Sequence, residues 1–164
     1  MKDTRKEVFI ALLCAFAVIA NIIEGAYLSF LPYGLKIGLA NIFTMVIWLR
    51  YERREVFLFN VLRVLISSLI KGSLFSISFF IAFGGIVLST LALILLHGKS
   101  SVLFASICSA IMYNTGQLLA VMFIYHQVNV AVLLPLLILI AIPCGMLTAV
   151  LSQIITKRAD GNFI

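Results

Sequence analysis

The sequence predicts an all-α, polytopic membrane protein of six transmembrane helices in one integral domain over residues 1–164. Three observations predict it. Hydrophobic residues make up 63% of the chain and charged residues only 11%, against about 25% charged in an ordinary soluble domain. The mean hydropathy is +1.20, so the chain has no polar shell to offer water, and its solvent must be largely hydrocarbon. The charges that remain sit in short clusters between long apolar runs, where orientation signals sit in membrane proteins.

Backbone groups in lipid must be satisfied internally, so each long apolar run reads as a helix of about 20 residues. The first helix is expected at about Val8–Phe30 and ends at the turn signal Pro32-Tyr33-Gly34. The second, about Lys36–Trp48, is short enough to be tilted or partly re-entrant. The charged run Arg50–Glu55 reads as a loop in water. The third runs from about Val56 to Ile70 and is broken by Lys71-Gly72-Ser73; the fourth from Leu74 to Leu96, followed by Gly98-Lys99-Ser100-Ser101. The fifth spans about Val102–Tyr125 and the sixth about Val130–Ile155, with Pro135 and Pro143 as expected kinks.

Orientation follows from Lys and Arg. With the N-terminus inside, Lys2, Arg5, Lys6, Arg50, Arg53, Arg54, Lys99, Lys157 and Arg158 lie inside, nine of the 12 basic residues. Both termini are therefore expected in the cytoplasm of a bacterial cell, with the chain in its inner membrane. The basic N-terminus followed by an apolar run resembles a signal peptide, but the run is too long and lacks a cleavage site, so it reads as a retained first helix. The charge of +6 shows no basic stripe with interleaved aromatics, which excludes nucleic acid as the expected partner. Cys14, Cys108 and Cys144 lie far apart in apolar runs and read as small hydrophobes. His97 and His126 have no Cys or carboxylate at ligand spacing, so no metal site is expected.

Ionisable groups at membrane depth cost several kcal/mol, which makes each a functional candidate. Arg63 stands near mid-membrane; Asn60, Ser67 and Lys71 fall within about 80° of it on one helical face. Glu24 lies roughly 24 Å along the first helix, with Asn21 on nearly the same face. Arg63 either contributes to a ligand site or pairs with Glu24 as a structural bridge. Lys36 is either a ligand residue or a snorkelling anchor, and Asn41 lies about 7 Å deeper. The fifth helix aligns Ser106, Ser109, Tyr113 and Gln117 within about 80°, with Asn114 at the edge; such groups line a cavity or hydrogen-bond helix to helix. Together Glu24, Lys36, Asn41, Asn60, Arg63, Lys71, Tyr113, Asn114 and Gln117 outline a pocket open to the outer side, whose positive balance suits an anionic or strongly polar solute. Ala11 and Ala15 form a small-xxx-small pair on another face of the first helix, suited to close approach of a partner helix or to internal packing.

Other chemistry is missing from the residues. The only aspartates, Asp3 and Asp160, are terminal, so no acidic cluster can hold Mg²⁺ on a diphosphate. No Walker A pattern can energise transport from within the chain, and no nucleophile has a base at motif spacing. The chain is expected not to be an enzyme and to need no cofactor.

Four blocks carry a family resemblance: Lys36-Ile37-Gly38-Leu39-Ala40-Asn41-Ile42, Asn60-Val61-Leu62-Arg63-Val64, Lys71-Gly72-Ser73-Leu74-Phe75-Ser76 and Asn114-Thr115-Gly116-Gln117-Leu118-Leu119. Over about residues 8–156 the chain resembles the Gx transporter family, also labelled heptaprenyl diphosphate synthase component I, membrane type. Where that family usually has His before the Asn of the last block, this chain has Tyr113. The family is similar to the S-components of energy-coupling-factor transporters. That similarity implies an S-component-like bundle of six helices binding a vitamin-like solute near the outer surface. It also implies a transmembrane coupling subunit and ATPases in trans, with docking through small residues that map to Ala11 and Ala15. The label of the family implies instead a non-transporting membrane subunit supporting prenyl diphosphate or quinone synthesis, or a redox complex. A stand-alone secondary transporter is a third reading. The polar pocket favours the solute-binding subunit of an uptake system.

Overall fold

The computed structural model describes residues 2–27 and 38–161. Among these it has six α-helices and no strand: α1 Lys2–Tyr27, α2 Asn41–Arg50, α3 Arg53–Ile70, α4 Ile77–Leu96, α5 Val102–Tyr125 and α6 Leu134–Gly161, with a 3₁₀ turn Val128–Leu133 before α6. Four segments are long and apolar enough to cross a membrane: Thr4–Ala26, Ile77–Leu96, Val102–Tyr125 and Val128–Ala159. The other two helices depart from that standard for different reasons. α2 has 10 residues and so covers only about 15 Å. α3 has 18 residues but carries Arg53, Arg54, Glu55 and Arg63.

The ends follow local chemistry. α4 starts where the Ser76 hydroxyl accepts from Phe79 N, and α5 where Ser101 accepts from Phe104 N. α3 closes with Gly72 at φ 63°, Gly72 N donating to Leu69 O and Ser73 N to Ser68 O. That is the paired closure of a Schellman motif, which a left-handed glycine makes cheap. Several expectations are corrected here. Arg53–Glu55 are helical, because Glu52 is extended (ψ 174°) and α3 begins directly after it, leaving only Tyr51 and Glu52 between helices. α4 begins at Ile77 rather than Leu74, because the turn at 71–76 runs up to the Ser76 cap. Pro135 does not kink a helix. It is the second residue of α6, where its missing N–H has no intrahelical partner to lose. Pro143 lies inside α6.

One core cluster joins Leu13, Ala17, Val46, Val56, Phe59 and Leu93, with Phe9, Tyr51, Leu96, Val102 and Ile155 packed against it. The N-terminal part of α1, the α2–α3 and α4–α5 connections and the C-terminal part of α6 therefore share one end of the bundle. Lys6 pairs with Glu55 there, and Trp48 Nε1 donates to Leu93 O at 2.8 Å. At the opposite end Lys71 Nζ donates to Asn21 Oδ1 at 2.8 Å and to Asn21 O at 3.0 Å. The perimeter is apolar: Val8, Leu12, Phe16, Ile19 and Ile23 on α1, and Leu95, Phe123, Val132 and Leu139 elsewhere, are all exposed. Such a surface suits lipid and is untenable in water at this extent.

Candidate functional site

Four helices bring polar side chains to one buried place. Glu24 from α1 is 1% exposed, Arg63 from α3 1% and Tyr113 from α5 2%. Asn41, at the start of α2, accepts on Oδ1 from Arg63 Nη2 at 3.1 Å. Glu24 serves the backbone: Oε1 accepts from Gly38 N, and Oε2 from Leu39 N at 3.1 Å. A carboxylate on two peptide N–H groups is a strong, charge-assisted anchor, and it fixes the chain entering α2 against α1. Gly38 has φ 92°, and a Cβ there would lie 2.8 Å from Asn41 Nδ2 and 3.3 Å from Tyr113 Cδ1. Glycine is thus required twice, by backbone and by space. Gln117, one turn from Tyr113, hydrogen-bonds its side chain.

Arg63 and Glu24 make no direct hydrogen bond or ion pair, and interact only through space. Glu24 faces Gly38 and Leu39, while Arg63 faces Asn41. Nε and Nη1 of Arg63 have no hydrogen-bond partner among the described residues. An ionised group left short of partners in a low-dielectric interior costs several kcal/mol, which marks this guanidinium as the feature of the cluster in need of an acceptor.

The remaining polar residues divide into separate groups. Asn60 forms a chain across three helices: Thr44 Oγ1 donates to its Oδ1 at 2.7 Å, and its Nδ2 donates to Thr90 Oγ1 at 2.7 Å. Lys71 caps the α1–α3 contact through Asn21. Asn114 turns to α6, donating from Nδ2 to Leu137 O at 3.0 Å. Lys36 lies outside the described residues. Ala11 and Ala15 line an apolar groove of about 540 Å³ between α1 and α3, with Cys14, Val18, Phe59 and Leu62. A second cavity, about 830 Å³, opens at the charged end beside Trp48, Tyr51 and His97.

The family model for heptaprenyl diphosphate synthase component I matches residues 13–155. The chain belongs to that family. No curated protein and no solved structure matches it. With its apolar helical bundle, this member of the heptaprenyl diphosphate synthase component I family is a multi-pass membrane protein.

Within this family member, Glu24, Asn41, Arg63, Tyr113 and Gln117 come together, whereas Asn60, Lys71 and Asn114 bind elsewhere. Sequence reasoning missed Gly38, Thr44 and Thr90. Threonine in an apolar run gives no charge signal, and its hydroxyl commonly bonds its own helix. The glycine was visible only as part of the Lys36–Ile42 block. The pair Gly84-Gly85 was also passed over. A Cβ on Gly85 would meet Gln117 Cγ at 2.8 Å and Tyr113 O at 2.9 Å. The bare α4 backbone is what lets Tyr113 and Gln117 seat.

Proposed function

We propose that this chain is the solute-binding membrane subunit of an uptake system, S-component-like in role. It takes a small polar solute from the side opposite its termini and is not itself an enzyme. The single observation that carries the reading is the buried cluster of Glu24, Asn41, Arg63 and Tyr113, in which Arg63 Nε and Nη1 have no acceptor among the described residues. A helix bundle in lipid does not retain such a group for stability, because replacing it with an apolar residue would remove the desolvation cost. In this reading the chain sits in a bacterial cytoplasmic membrane with both termini inside. Energy comes from ATPases in trans through a transmembrane coupling subunit, and the Ala11/Ala15 groove between α1 and α3 receives that subunit. The test is purification in mild detergent, followed by mass spectrometry of small molecules released on denaturation. A retained solute that raises the melting temperature when added back supports the role. A protein that carries none and responds to none of the added vitamins and cofactor precursors contradicts it.

The family name favours a second reading, a membrane subunit that supports prenyl diphosphate synthesis by a soluble partner. A purified synthase whose activity depends on addition of this chain would establish it in place of the first.

A further inference from the structure

The donors left over in the buried cluster define what its ligand must offer. Arg63 is 1% exposed. Asn41 Oδ1 engages Nη2, and Nε and Nη1 have no partner among the described residues. Glu24 does not supply the missing acceptor: its oxygens accept from the Gly38 and Leu39 amides, and Arg63 Nε and Nη1 make no hydrogen bond to them. The acid is anchored to the backbone, and it acts on the guanidinium through space and not through a hydrogen bond. The donors are also arranged in space. A guanidinium forms forks from Nε with Nη2 or from Nη1 with Nη2. Nε–H and Nη1–H therefore leave the planar group on different edges, and no single acceptor atom serves both. A halide would leave one edge bare.

Resting on the solute-binding reading, we propose that the ligand at this site is a small organic anion, held by a carboxylate or phosphate oxygen on one edge of the Arg63 guanidinium and by a second acceptor atom on the other. Asn41 fixes the plane of the guanidinium through Nη2. Tyr113, whose ring would lie 3.3 Å from a Cβ on Gly38, walls the site on the α5 side. The two unpartnered edges of the guanidinium suit an acceptor that carries negative charge, and they offer a cation only donors and like charge.

The experiment compares the purified wild-type protein with Arg63→Gln and Arg63→Lys, all in detergent. Solutes released on denaturation are identified by mass spectrometry in both polarities. Acetate and inorganic phosphate are then added separately to stripped protein, against sodium chloride at equal ionic strength, with the melting temperature as readout. The expected result is an acidic solute on the wild type, reduced about thirtyfold or more on Arg63→Gln, where a charged partner has been truncated. A melting shift with one probe and not with chloride then tells carboxylate from phosphate. A released solute that is neutral or cationic overturns the anion assignment and leaves the solute-binding role standing. An acidic solute kept equally by Arg63→Gln overturns the part given to Arg63. No solute on the wild type, with neither probe moving its melting temperature, overturns both. Should Arg63→Gln not fold, loss of an acidic wild-type solute from Arg63→Lys, whose ammonium has no planar edges, supports the proposal, and its full retention overturns the part given to Arg63.

Discussion

At the scale of single residues, the site depends on how Glu24 and Gly38 divide the work. Glu24 replaces the missing hydrogen-bond partners of Gly38 N and Leu39 N just before α2 starts. In Glu24→Gln one acceptor becomes a donor that faces an N–H. The expected loss is about 1–3 kcal/mol, read as a lower melting temperature in detergent. Gly38→Ala carries two penalties at once: a left-handed φ of 92° and a Cβ 2.8 Å from Asn41 Nδ2. Gly72→Ala isolates the first of these, since its φ is 63° and nothing lies within 4 Å of its Cβ. We expect Gly72→Ala to cost about 1 kcal/mol, and Gly38→Ala to cost more and also to release bound solute by displacing Asn41. Equal effects of the two on solute retention would contradict the role given to Asn41. Legibility at this scale tracked charge. Glu24 and Arg63 stood out because an ionised group in an apolar run has a large cost. Thr44 and Thr90, which complete the Asn60 chain, have no such signature.

At the scale of elements, the α4–α5 pair seats the α5 side of the site. A Cβ on Gly116 would lie 2.3 Å from Gly84 O and 2.9 Å from Gly85 Cα, so the two backbones touch there. In an isolated helix Gly→Ala would stabilise by about 0.5–1 kcal/mol. Here the clash is with backbone, which cannot rotate away, and overpacking of this kind costs about 1–3 kcal/mol. Gly116→Ala should therefore lower the melting temperature and move Tyr113 out of register with Arg63; a rise in melting temperature would show that the helices separate freely. The helices themselves were legible where both ends carried a chemical mark. α5 was read at 102–125 and stands at Val102–Tyr125, bounded by the Ser101 cap and by His126 at φ 51°. α2 and the start of α3 were less legible. Apolar periodicity cannot say that α3 continues through Arg53–Glu55, because charged residues at a helix end are equally content in water as loop or helix.

At the scale of the whole molecule, the distribution of charge and the packing of the ends make a joint prediction about topology. Nine of the 12 basic residues belong to the N-terminus, the 50–54 segment, Lys99 and the C-terminal part of α6. Phe9, Tyr51, Leu96, Val102 and Ile155 pack on one core cluster, which gathers those same segments at one end. The Lys71–Asn21 contact and Phe75 mark the other. Lys and Arg resist translocation, so the crowded end should face the cytoplasm. In a background with Cys14, Cys108 and Cys144 replaced by alanine, Phe75→Cys should react with a membrane-impermeant maleimide on intact cells. Lys99→Cys should react only after lysis, both positions being exposed on the protein surface. Labelling of Lys99→Cys on intact cells would invert the topology. Glu24 and Arg63 would then lie toward the cytoplasmic side of the core cluster, and uptake from outside would no longer fit a site held at that end of the bundle.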